Sequence, residues 1–130
     1  MFFTPYIFNL KRHDAFLLMC GIFVVHGPVV TNKLPKINVL QHRGPDEFNS
    51  KRVGKTFFEF HRLAINGGPG PSQPIECDGL WMVANAEIYN YIQLGGFPGE
   101  SDCEVIPRCV TEHGMFRACQ MLDGDFAFVS

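Results

Sequence analysis

From residue 20 onward the apolar residues come in short blocks, each separated from the next by glycine, proline or polar clusters. Residues 21–25 (GIFVV) are continuously apolar and end at His26-Gly27-Pro28, which predicts a short strand buried on both faces. Residues 34–41 place Leu34, Ile37 and Leu40 near helical spacing, with Pro35 tolerable only in a first turn. HRGPD (42–46) reads as a turn. Residues 53–65, rich in Phe and β-branched side chains, predict one or two strands. GGPGP (67–71) sustains neither regular element and reads as a loop. LWMVA (80–84) predicts another buried strand.

Ser101-Asp102-Cys103-Glu104 has the spacing of a capping box, opening a helix that runs towards His113 with Gly114 just past its end. Pro107 falls inside that helix, where it costs ~3 kcal/mol unless the helix kinks. Either a kink is built in there or the helix begins elsewhere. Residues 125–130 close the chain as a strand carrying Phe126 and Phe128. Strands alternating with a few short helices give an α+β fold.

Residues 1–19 follow none of these patterns. MFFTPYIFNL is aromatic without a period, KRHD is a charged island, and residues 15–25 run apolar for 11 positions. A lipoprotein-type signal also combines a basic patch, an apolar run and a cysteine. Here Met19 before Cys20 is not small, Asp14 interrupts the charged patch and the run is short. No stretch approaches the ~18 apolar residues of a membrane span. We therefore expect an N-terminal extension over 1–19, from a misassigned start or a propeptide, and a domain over 20–130.

Composition narrows the function. A length of 130 residues suits one domain, and 46% hydrophobic residues supply a core. Eleven basic residues against 13 acidic exclude a basic nucleic-acid binder and an acidic disordered tail. Five cysteines, odd in number and without a CxxC pair, argue against a disulfide framework and for a reducing, cytoplasmic setting. His42, His61 and His113 sit at no metal-ligand spacing, so no metal site is expected.

Six islands carry the chemistry: MCGIF (19–23), QHRGPD (41–46), HRLAI (61–65), NAEIYNY (85–91), SDCEVI (101–106) and LDGDFAF (122–128). In this order they resemble the glutaminase domain of class II glutamine amidotransferases, of the N-terminal-nucleophile type. HRGPD and EIYN resemble most the branch of glutamine-dependent asparagine synthetase. The resemblance implies a four-layer αββα sandwich of antiparallel sheets, here incomplete at the C-terminus.

It also implies hydrolysis of L-glutamine to glutamate and ammonia through a thioester on Cys20. A thiol is a poor nucleophile until deprotonated, and a free α-amine has a pKa of ~7.7–8.0, near working pH. If Cys20 were residue one, its own amine could take the thiol proton and later return it to the departing ammonia. As written, 19 residues precede it and its nitrogen is an amide without basicity. Translation from Met19 followed by loss of Met, or cleavage of a propeptide, would expose it.

The remaining roles follow motif position in the resembled family. Arg62 would bind the α-carboxylate of glutamine through its planar fork, with Leu63 and Ile65 contributing backbone contacts. Asn85 would supply the oxyanion-hole side chain, and the backbone N–H of residue 86 its partner. The family has glycine at that place. Ala86 keeps the N–H but would lose a positive φ or a close substrate approach. Glu87 and Asp102 match positions near the substrate ammonium, while Arg43 and Asp46 resemble a turn supporting the pocket. No cofactor is implied for the glutaminase step. ATP and Mg would belong to a synthetase domain or subunit absent from this chain, for which the ammonia would be destined in asparagine synthesis. The competing reading is a catalytically degenerate glutamine-binding or partner-binding module.

Overall fold

The computed structural model describes residues 20–27, 40–64 and 73–130. The expected extension over 1–19, most of the helix over 34–41, the loop over 67–71 and Ile65 lie outside the described residues.

Strand β1 (Gly21–His26) pairs antiparallel with β3 (Thr56–Arg62), which pairs with β2 (Glu47–Val53) on its other side. In the second sheet, β5 (Leu80–Ile88) lies between β4 (Ile75–Cys77) and β6 (Gly124–Val129), again antiparallel. Between β5 and β6 come a 3₁₀ turn over Asp102–Glu104, helix α1 (Val105–His113) and helix α2 (Met115–Met121). The described residues thus form an α+β structure with two small antiparallel sheets.

Period-two alternation along β3 and β5 builds two cores. Phe58 and Phe60 face Val83 of β5, with Ile22, Val24 and Val129 packed around them, and this cluster joins the two sheets. On the other face of β5, Met82, Ala84 and Ile88 meet Val105, Ile106 and Leu122 of the helical layer, along with Phe126 and Phe128 of β6. Asn85 and Glu87 take the parity of Val83 and point towards the first sheet. Ala86 takes the parity of Ala84, and its methyl group packs on the helix-side core.

Two hairpins were hidden from the hydrophobic pattern. In β2 (EFNSKRV) polar residues dominate, so its strand character comes from pairing across the Gly54-Lys55 connection, where Gly54 takes φ 57°. Strand β4 has only three residues. It turns into β5 through Asp78 (φ 50°) and Gly79 (φ 82°), the paired positive angles that a type I′ hairpin requires. Strand β1 is mostly half-buried rather than buried on both faces, because it sits at the edge of its sheet.

The Pro107 question is settled by the boundary. Regular helix begins at Val105, after the 3₁₀ turn, so Pro107 occupies the first turn, where the ring replaces an N–H without an intrahelical partner. Ser101 caps the 3₁₀ turn, its Oγ accepting from the Cys103 N–H at 3.4 Å. The Ser101 backbone N–H in turn acts on the Glu104 carboxylate, as the reciprocal half of a capping box does, while among the described residues Glu104 Oε1 is buried without a hydrogen-bond partner. Among the described residues no helix is long and apolar enough to cross a membrane.

Candidate active site

Cys20 stands immediately before β1, and its sulfur is pinned to the chain just beyond β3. The Leu63 N–H donates to Sγ at 3.2 Å, and the thiol donates to the Leu63 carbonyl at 3.6 Å. The backbone of Leu63, expected to contact the substrate, here contacts Cys20.

The 61–64 segment is itself held by the HRGPD turn. The Asp46 N–H donates to the Arg62 carbonyl at 3.1 Å, and Asp46 Oδ2 accepts from the Ala64 N–H at 2.8 Å. Gly44 lies directly beneath the His61 carbonyl, where any side-chain carbon would collide with backbone atoms of His61 and Arg62. This is the supporting role expected for the turn.

Burial pushes the Cys20 thiol above its ordinary pKa. Hydrogen bonds from the Leu63 N–H and from its own backbone nitrogen, together with the Arg62 guanidinium, pull it down, and the Asp102 carboxylate pushes it up again. Burial prevails. A thiol in this setting is largely protonated at neutral pH and needs a base. Alkylation of Cys20 by iodoacetamide is accordingly expected to rise with pH through a midpoint above that of a free cysteine. Rate measurements from pH 6 to 10, compared with a cysteine peptide under the same conditions, check this (~8.5 for the free thiol).

A pocket of about 380 Å³ opens beside the sulfur. Its polar walls are Cys20, His42, Arg43 and Asn85, with Leu40 and Phe128 among the apolar ones. Asn85, expected as an oxyanion donor, thus shares a cavity with the expected nucleophile. Arg62 and Asp102 do not line that cavity; both act on the thiol as charges from beside it.

Arg62 extends to Glu47 across the β2–β3 pair, with Nη1 to Oε2 at 3.4 Å. A carboxylate ligand would have to share or replace that partner. Asp102 uses one oxygen to accept from the Ile88 N–H at 2.6 Å, and burial holds its carboxyl above the usual carboxylate range. Glu87 is half-buried on the Asn85 side of β5.

The polar groups of β5 explain how a donor at Ala86 is aimed. Both backbone groups of Ala84 and the N–H of Ile88 are engaged by the side chains of Gln73 and Asp102, on the edge away from β6. Backbone groups alternate in direction along a strand, so the Ala86 N–H points to that same edge. The edge also carries Cys103, whose thiol donates to the Ala86 carbonyl at 3.8 Å.

The concern over alanine at this position is answered by the backbone. Asp78 is the one non-glycine residue with positive φ among those described, so Ala86 occupies ordinary strand geometry. Ala86→Gly is therefore expected to leave turnover unchanged and to cost roughly 0.5–1 kcal/mol of stability. Parallel glutaminase assays and urea melts of the two proteins check both parts.

Three features were not anticipated: the Gln73 clamp, the Glu47 partner of Arg62 and a buried pair on the outer face of β3. His61 Nε2 lies 2.8 Å from Glu59 Oε1, both side chains are almost wholly buried, and among the described residues Glu59 Oε2 and His61 Nδ1 have no hydrogen-bond partner. Gln73 and Glu47 stand apart in sequence from the residues they hold, so no local spacing marks them. Among the described residues no group of three or more His, Cys, Asp or Glu side chains is arranged to hold a metal ion.

Comparison with known proteins fits this geometry. A model of the glutamine amidotransferase domain matches residues 19–130. The chain belongs to that family. Its relatives include asparagine synthetase [glutamine-hydrolyzing] of Sandersonia aurantiaca, 37% identical over 125 residues, and of Gallus gallus, 36% identical over 124. The probable asparagine synthetase of Schizosaccharomyces pombe is 38% identical over 127. Each match covers 85% of this chain but only 22–24% of the relative, so this amidotransferase domain spans less than a quarter of those proteins.

Proposed function

We propose that this domain hydrolyses the side-chain amide of L-glutamine, with Cys20 as nucleophile, and that the ammonia feeds asparagine synthesis in a synthetase domain or subunit. The observation that carries the reading is the surroundings of Cys20 Sγ. Burial keeps its proton on, and the nitrogen of its own main chain is hydrogen-bonded to it. If that nitrogen is a free α-amine, a base of suitable pKa stands beside the sulfur whose proton it must take.

The sequence of steps balances on these groups. The sulfur attacks the amide carbon while its proton passes to the α-amine. The carbonyl oxygen becomes an oxyanion, met by the Asn85 side-chain N–H and the Ala86 backbone N–H. Collapse breaks the carbon–nitrogen bond, and the amine proton leaves with ammonia. Water then attacks the γ-glutamyl thioester, giving glutamate and restoring the thiol. Arg62 holds the α-carboxylate, with Leu63 contributing backbone contacts on its side of the site. Glu87 and the second oxygen of Asp102 face the ammonium.

This step draws on side chains and backbone alone; ATP and Mg would serve the synthetase chemistry. The two sheets would be the inner layers of a four-layer αββα sandwich, in a protein working in the cytoplasm.

The chemistry requires Cys20 to be the first residue, as translation from Met19 and loss of that Met would make it. Intact mass of the native protein beside an ammonia-release assay tests this. Activity is expected only where the chain begins at Cys20; an active protein that retains Met1 would overturn the amine-base mechanism. Absence of ammonia release from a chain beginning at Cys20 would favour the degenerate, glutamine-binding reading.

A further inference from the structure

We propose that Gln73 is a positioning residue for the oxyanion donor at Ala86, acting as a one-residue substitute for a neighbouring strand. The inference deepens the glutaminase reading and rests on it. Strand β4 pairs only with residues 80–82 of β5, while β6 pairs with 83–88 on the opposite side. Beyond Met82 the β4 side of β5 therefore has backbone groups to satisfy but no strand from β4 to satisfy them.

Gln73, only 6% exposed, does this with its side chain. Its Oε1 accepts from the Ala84 N–H at 2.5 Å, and its Nε2 donates to the Ala84 carbonyl at 2.9 Å. A carboxamide offers a donor and an acceptor in one plane, as a peptide group does. Glutamate could not donate to the carbonyl, and an apolar side chain could do neither.

The consequence falls on the next peptide. The Ala84 carbonyl belongs to the peptide plane leading into Asn85, and the following plane carries the Ala86 N–H. Gln73 clamps the strand just before that donor, and Asp102 clamps it just after, at the Ile88 N–H (2.6 Å). The group between the two clamps is the one that must meet the oxyanion. Gln73 is not among the residues that line the pocket beside Cys20. Its effect on the reaction runs through the strand.

The test uses the protein with Cys20 as its first residue and two variants of it. Gln73→Met keeps length and removes both hydrogen bonds; Gln73→Glu keeps the acceptor and is the milder change. The probe is a glutamine-shaped chloroketone, L-2-amino-6-chloro-5-oxohexanoate, whose ketone carbon stands where the amide carbon of glutamine stands. Its alkylation of Cys20 forms a sulfur–carbon bond as the carbon–chlorine bond breaks, with chloride leaving and the thiol proton passing to solvent. Its ketone oxygen takes the place of the oxyanion.

Gln73→Met is expected to lower the limiting alkylation rate about tenfold or more, with the half-saturating concentration unchanged and Gln73→Glu in between. Amide hydrogen exchange at Asn85 and Ala86 should speed up in the same order. Unchanged exchange overturns the proposal, and so does a rate loss that merely follows a rise in half-saturating concentration or loss of folded protein. A parent chain that takes no label at Cys20 overturns the glutaminase reading instead. Exchange at Asn85 and Ala86 then decides alone whether Gln73 holds the strand.

Discussion

Cys20→Ala is expected to reduce ammonia release from L-glutamine to background, a loss of about 10⁴-fold or more, without lowering the melting temperature. The two halves of this result have separate causes. The sulfur is the only protein group in the proposed sequence that bonds to the substrate carbon, so nothing remains to form the thioester. Its structural contribution is small by comparison: it stands before the first strand, is half-buried, and makes two sulfur hydrogen bonds to Leu63. A steady-state assay with coupled ammonia detection, run beside a thermal melt, reads both. Loss of activity together with loss of folding would mean that Cys20 is a packing residue.

Asn85→Ala is expected to lower kcat by about 10²–10³ while leaving KM for glutamine nearly unchanged. Asn85 lines the cavity beside Cys20 on the sheet-facing side of β5, and its side-chain N–H is proposed to meet charge that exists only after attack. Binding of the ground state is proposed to fall instead to Arg62 and Asp102, which this substitution leaves in place. A glutamine saturation curve for each protein separates the two effects. A rise in KM with kcat intact would move Asn85 from the oxyanion to the substrate.

Much of this arrangement is legible in the sequence. The apolar runs 21–25 and 80–84 and the Phe126/Phe128 pair mark β1, β5 and β6, because burial against a core writes itself into local periodicity. β5 runs on to Ile88 because pairing with β6 carries Asn85, Ala86 and Glu87 in strand geometry, which their polarity conceals. β2 escapes the pattern for the same reason: its partner is fixed by a hairpin and its outer face is wet. β4 and α2 are too short to show a period.

The site divides in the same way. Cys20, Arg62, Asn85 and Asp102 stand in short motifs that the eye can find. What holds them in place consists of contacts between side chains and backbone far apart in the chain. Leu63 reaches back to Cys20, Asp46 forward to Ala64 and Gln73 forward to Ala84. No spacing rule encodes such contacts; only the folded register creates them.

Mass spectrometry of the acid-quenched protein, taken within the first turnovers after mixing with L-glutamine, tests the central claim most directly. The account predicts a glutamyl group on the peptide containing Cys20, labile to hydroxylamine and absent from Cys20→Ala. Ammonia released from a chain that never carries this adduct, or an adduct on Cys103 or any other cysteine, would contradict it.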